Sequence, residues 1–141
     1  RARVAELTRL EADLRATEQR FRAFMDSGPV AAFMKDEDGR YAYVNEPVVR
    51  RFGRPAAAWL GHTDAELFPD EYTAVWRDND RTALAGDRVI ELSESIPMAD
   101  GGESHWATYK FPFRDAAGRR FLAGIGLDVT EKRRVEDALR A

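Results

Sequence analysis

The sequence predicts an α+β domain of five antiparallel strands with its helices gathered on one face. Three observations lead there. Two short apolar runs, Val30 to Lys35 and Arg40 to Asn45, flank a turn at Asp38-Gly39, the pattern of a hairpin. The stretch from Glu46 to Gly86 switches to helical spacing, punctuated by proline and glycine. Three more strand-like runs follow: Arg88 to Pro97, Ser104 to Arg114 and Arg119 to Val129. The turns Asp100-Gly101-Gly102 and Asp115 to Gly118 join them as an antiparallel meander. Strands, then helices, then strands make a layered fold, and a helical segment of coiled-coil type flanks it at each end.

The first segment, residues 1–26, carries Leu7, Leu10, Leu14, Thr17, Phe21 and Phe24 at steps of three and four. That is a heptad seam, with Glu11, Asp13, Arg15, Glu18 and Arg20 on the other faces. Thr17 interrupts it. The pattern fits one amphipathic helix lying on its own domain, or a two-stranded coiled coil whose dimer seam is Leu7, Leu10, Leu14 and Phe21. Ser27-Gly28-Pro29 ends this helix, because glycine unwinds it and proline cannot continue it.

Residues 27–130 form the domain. After the hairpin, Glu46-Pro47 opens a helix with Val48, Val49 and Phe52 that closes at Gly53. Short helical turns broken at Pro55, Gly61 and Asp64 follow. Pro69-Asp70 then starts a longer helix with Tyr72, Val75, Trp76 and Leu84 as its apolar positions, ending at Gly86. The last strand reaches Asp128-Val129-Thr130 and turns at once into a charged helix over 131–141. Thr130 is a good N-cap residue, and Glu131 suits the first turn. A strand feeding directly into a charged helix predicts a module that passes something onward.

Hydrophobic residues make up 44% of the chain and aromatics 11%, enough for a real core. No segment approaches membrane-spanning length, and the first residues carry no apolar run of the signal-peptide kind. With no cysteine, the chain forms no disulfide, cysteine–zinc site or thiolate nucleophile, which fits a cytoplasmic setting. A net charge of −3 gives no electrostatic footprint for nucleic acid. Arg50-Arg51 and Lys132-Arg133-Arg134 read as solvated helix faces.

Several stretches in order resemble the PAS domain, the sensory module of many bacterial signalling proteins. They are Glu18 to Phe24, Asp38-Gly39-Arg40, Tyr43-Val44-Asn45, Gly61 to Asp64 with Phe68-Pro69, Phe111-Pro112, and Gly124 to Lys132. The resemblance covers about residues 18 to 132 and is carried by their order. It implies that Asp128-Val129-Thr130, similar to the family's Asp-Ile-Thr junction, couples the last strand to an effector helix, with Asp128 and Thr130 as the relay. It implies a covalently linked effector, foremost a histidine kinase, while the apolar stripe of Leu7, Leu10 and Leu14 predicts a homodimer through the terminal helices. A diguanylate cyclase, or a spacer module that dimerises constitutively and binds nothing, are the alternatives. The family's haem histidine lies on the long helix, and Glu71 to Ala85 contains none. The light-sensing flavin subfamily needs a cysteine after the Gly61 region and a glutamine where Gly126 stands. No cofactor is therefore expected, and the resemblance leaves a non-covalent small ligand or a partner as the sensed input.

Nothing in the chain has the pattern of an enzyme: there is no P-loop, no Gly-x-Ser-x-Gly and no carboxylate pair at useful spacing. Asp100-Gly101-Gly102-Glu103 reads as a turn. His62 and His105 lack partners at metal-ligand spacing, so no metal site is expected. The remaining site is a cavity between helices and sheet. Candidate lining residues are the aromatics Phe33, Tyr43, Phe52, Trp59, Phe68 and Trp76, which equally suit an ordinary core. Gly124 and Gly126 share one strand face and leave room, while Asn45, Tyr43, Thr108 and Tyr109 offer polar groups. Alternation alone does not fix which sheet face turns inward.

Overall fold

Phe33 pairs with Val44 on one side and with Gly124 on the other, which seats the first strand inside the sheet. A computed structural model describes all 141 residues. The strands are β1 (Ala31–Asp36), β2 (Tyr41–Val44), β3 (Ile90–Pro97), β4 (Glu103–Arg114) and β5 (Arg120–Asp128). Their spatial order is β2-β1-β5-β4-β3, antiparallel throughout. The chain's first and last strands thus meet in the middle, and β5 runs between both hairpins.

Four helices fill the gap between β2 and β3: α2 (Glu46–Phe52), α3 (Ala56–Trp59), α4 (Asp64–Leu67) and α5 (Asp70–Gly86). Local chemistry fixes their ends. The Asn45 side chain accepts from the Val48 N–H to cap α2, with Pro47 in the first turn. Gly53 closes that helix at φ 67°, a left-handed conformation that costs glycine little. At the start of α4 the Glu66 carboxylate accepts both the Thr63 N–H and the Thr63 hydroxyl at 3.2 Å, the carboxylate half of a capping box. On α5 the buried stripe is Thr73, Trp76 and Ala83, with Asp80 on the same face. Val75, expected as an apolar core position, points to solvent because it falls outside that stripe.

The helices cover one face of the sheet, and Tyr41, Val44, Val48, Trp59 and Trp106 form the core between the layers. The opposite face leaves Tyr109, Ile125 and Leu127 exposed.

Helix α1 (Ala2–Ser27) has no buried residue. Leu7, Leu10 and Leu14 are 54%, 53% and 68% exposed, so the helix does not lie on its own domain with its seam inward. Only its end docks. The Phe21 ring lies 5.7 Å from that of Tyr43, and the Asp26 carboxylate accepts the Glu46 N–H. Helix α6 (Thr130–Arg140) follows β5 after a single residue. No helix is long and apolar enough to cross a membrane.

Candidate functional site: an aromatic cavity and the β5–α6 junction

Alternation along the strands aims Phe33, Trp106, Thr108 and Gly126 at the helices, where they border a cavity of about 60 Å³. Phe52, Trp59, Phe68 and Trp76 close the helical side. The rings hold one another edge to face: Phe68 meets Trp76 at 5.0 Å and 79°, and Tyr41 meets Trp59 at 5.2 Å and 82°. Phe52 stacks on Trp106 at 5.9 Å and 24°, so α2 and β4 share one wall. The Arg54 guanidinium sits 5.0 Å from the Phe68 ring centre on the rim.

The far end of the cavity is charged. Lys35 Nζ donates to Asp64 Oδ2 at 2.5 Å and to Asp80 Oδ2 at 2.8 Å. Lys110 Nζ donates to Asp80 Oδ1 and to Glu94 Oε2, both at 2.8 Å. Tyr41 donates its phenol proton to Asp64 Oδ1 at 2.5 Å. Both lysines are 2% exposed, so these charges persist only because they are paired. Burial disfavours the Lys35 ammonium, but Asp80 and Asp64 outweigh it, and its pKa lies above the ordinary lysine value. Burial also works against the Asp80 carboxylate, yet Lys35 and Lys110 hold its pKa below the ordinary aspartate value. Burial and then the Asp64 charge push the Tyr41 phenol well above its usual range, so it stays a donor.

Of the residues expected around the cavity, Phe33, Phe52, Trp59, Phe68, Trp76, Thr108 and Gly126 border it. Four others lie elsewhere, each for a definite reason. The hydrogen-bonding groups of Asn45 are already used: Oδ1 accepts from Ala32 and Val48, and Nδ2 donates to the Met25 and Val30 carbonyls. Tyr43 turns toward α1 and packs on Phe21, with its hydroxyl buried and unpartnered. Tyr109 is exposed on the opposite sheet face. Gly124 does not open space; it is the seat of the Phe33 ring, whose tip would lie 2.1 Å from any Cβ built there.

The charged residues Lys35, Asp64, Asp80, Glu94 and Lys110 were not among the expected ones. A signal existed: Lys35 continues the inward alternation of Ala31 and Phe33, and Lys110 continues that of Trp106 and Thr108. Asp80 completes the 3–4 spacing of Thr73, Trp76 and Ala83.

At the other end of β5, Asp128 and Thr130 do come together, with roles partly exchanged. Thr130 Oγ1 is not the N-cap of α6. Val129 holds that position without a side-chain cap, and the hydroxyl reaches sideways to accept the His105 N–H at 2.8 Å. The Asp128 carboxylate does the accepting instead, from the Thr130 N–H at 2.9 Å and the Thr130 hydroxyl at 2.5 Å. Its cation is Arg51 on α2, whose Nε donates to Oδ2 at 2.9 Å. Val129 N–H donates to the His105 carbonyl at 2.8 Å, completing a tie between β4 and the start of α6. Partial burial works against the Asp128 carboxylate, but bonds from Thr130 and Arg51 lower its pKa.

The sequence profile of a family described as PAS fold matches residues 25–134. The methanogenesis regulatory histidine kinase FilI of Methanothrix harundinacea is 32% identical over 119 residues, covering 84% of this chain and 13% of that protein. The aerobic respiration control sensor protein ArcB of Escherichia coli is 25% identical over 119 residues, covering 84% and 15%. The chain thus spans about one seventh of the length of these relatives. Among solved structures, the PAS domain of an HTR-like protein from Haloarcula marismortui superposes with a TM-score of 0.71 at 22% identity, covering 86% of this chain and 98% of that one.

Proposed function

The chain belongs to the PAS fold family, and on that premise we propose that it senses a small molecule in the aromatic cavity and relays occupancy through Asp128-Val129-Thr130 to α6. In this reading it is the input module of a longer signalling protein, foremost a histidine kinase such as its relative FilI. The module itself does no catalysis. Two copies pair along the leucine seam of α1, and the relay changes the angle or register of paired α6 helices.

One observation carries the reading. The two protein anchors of the junction, Arg51 and His105, are the immediate sequence neighbours of Phe52 and Trp106. Those two rings stack on each other and border the cavity. A ligand that displaces the stack therefore moves both anchors of α6 at once. A spacer that binds nothing would have no need of a link between cavity wall and outgoing helix.

Gly126→Ala provides the test. A Cβ there lies 3.2 Å from the Trp106 ring and 3.4 Å from Thr108 Oγ1, so it presses on the wall from within. Amide exchange at Val129 and Arg133, whose N–H groups bond to the His105 and Val129 carbonyls, is expected to change by several fold. Unaltered exchange there, in a folded variant whose Trp106 signals have shifted, overturns the relay.

A further inference from the structure

The cavity has an unequal distribution of hydrogen-bonding groups, and the imbalance specifies a ligand. An ammonium carries three N–H donors. Lys35 spends two, on Asp64 and Asp80, and Lys110 spends two, on Asp80 and Glu94. One donor on each lysine is left without a protein partner. Thr108 is 4% exposed, its hydroxyl has no hydrogen bond within the protein, and it borders the same cavity beside Gly126. These three side chains thus present hydrogen-bond donors to the cavity, where an acceptor carried by a guest can pair with them.

Charge narrows the choice. Lys35 and Lys110 face Asp64, Asp80 and Glu94, two positive groups against three negative ones. The cluster already carries one surplus negative charge, so an anion entering here would be a second unpaired one. A cation would meet the two ammonium groups whose free N–H donors it cannot accept. Size narrows it again. A cavity of about 60 Å³ is well below the roughly 150 Å³ that accommodates benzene, and it holds on the order of four heavy atoms.

We propose that the cavity takes a compact, uncharged hydrogen-bond acceptor with an apolar body, of the amide, ketone or unprotonated azole class. Its acceptor atom faces Lys35, Lys110 and Thr108, and its apolar part lies against Phe52, Trp76 and Trp106. This rests on reading the cavity as the sensing site and adds the chemistry of what it senses.

Three planar molecules of one shape and different charge make the test: acetamide, acetate and acetamidinium. Each is titrated into the 141-residue chain, with amide and methyl NMR shifts of Thr108, Gly126 and Trp106 as the readout. Acetamide is expected to saturate in the millimolar range, the scale for so few heavy atoms, while the two ions leave these signals unmoved. Thr108→Val keeps the side-chain volume and removes the hydroxyl, and it is expected to weaken acetamide about fivefold, the effect of one lost hydrogen bond. Pyrazole, a neutral ring, is expected to bind at the same residues. Saturable shifts there with acetate or acetamidinium instead of acetamide overturn the ligand class and leave the sensing site standing. If none of the four molecules moves these signals, the cavity is closed core, and both the ligand class and the sensing reading fall.

Discussion

Arg51 Nε donates to Asp128 Oδ2 at 2.9 Å, joining α2 to the end of β5 across 77 positions of sequence. The Arg51 and Asp128 side chains are 38% and 28% exposed, so solvent and salt screen the pair. Its worth to stability is that of a surface pair, about 0.5 kcal/mol, and a double-mutant cycle of Arg51→Ala with Asp128→Ala should read that coupling in urea unfolding. Asp128→Ala alone should cost more, about 1–2 kcal/mol, because it also strips the acceptor from the Thr130 N–H and hydroxyl. Equal costs for the two single variants would mean that the carboxylate does not organise the start of α6.

Thr130 acts as an acceptor for β4 rather than as a helix cap, and its variants separate the two roles. Thr130→Val keeps the shape and loses the His105 N–H acceptor, which should cost about 1–2 kcal/mol. Thr130→Ser should restore most of it. A cap would instead tolerate Asn or Asp equally well. Recovery with Asn at full strength would contradict the sideways bond to His105.

Gly124→Ala tests the seat of Phe33. The ring tip lies 2.1 Å from the Cβ that alanine would add, so the ring must swing toward the cavity. Overpacking of this kind costs about 1–3 kcal/mol. Phe33→Leu, introduced in the same background, should recover part of that loss, as residues in contact are non-additive. Additive effects of the two changes would mean that the contact is not what limits position 124.

The sheet, the helical insertion and the outgoing helix were legible because each depends on local chemistry: Asp38-Gly39 for the hairpin, Pro47 and Gly53 for α2, strand alternation for β4 and β5. The apolar half of the cavity followed from its aromatics. Its charged half did not, because Lys35, Asp80 and Lys110 are far apart in sequence and pair only once α5 crosses the sheet. A lone lysine in a strand reads as a solvated face, and only its place in an inward alternation says otherwise. Asn45 misled for a similar reason: its type suits a ligand contact, while capping and backbone bonds across β1 and α1 consume its side chain. Thr130 illustrates the limit of capping rules, since a tertiary donor, the His105 N–H, claims the hydroxyl first.

Asp80, shared by both buried lysines, sets the response to acid. Its folded pKa lies below the ordinary 3.8, so between the two values the unfolded chain binds the proton more readily. The stability it contributes is complete above about pH 4 and is lost as pH falls through the lowered value. Lys35 works in the opposite direction: its pKa is raised above 10.5, so its contribution holds below that value and is lost as pH rises through the folded one. Asp80→Asn should cost about 3 kcal/mol at neutral pH, because it leaves two buried ammonium groups short of a partner. Thermal melts of that variant should also show a shallower fall between pH 5 and pH 2 than the parent chain. An unchanged acid limb would assign acid sensitivity to other carboxylates.

The leucine seam of α1 supplies the dimer prediction. Leu7, Leu10 and Leu14 remain largely exposed along a helix that meets its own domain only at its C-terminal end. Covering such side chains with a second copy yields about 1.5–3 kcal/mol each when burial is complete, enough to drive association of a short coil. Leu10→Asp combined with Leu14→Asp replaces that gain with like charges facing each other across the seam. Sedimentation equilibrium should show a dimer for the parent chain and a monomer for the double variant. The domain's unfolding midpoint, measured at protein concentrations below dimer dissociation, should stay the same, since neither leucine is buried against the core. A parent chain that already sediments as a monomer at high micromolar concentration removes α1 as the dimer contact. The exposed Tyr109, Ile125 and Leu127 face of the sheet would then be the surface to examine.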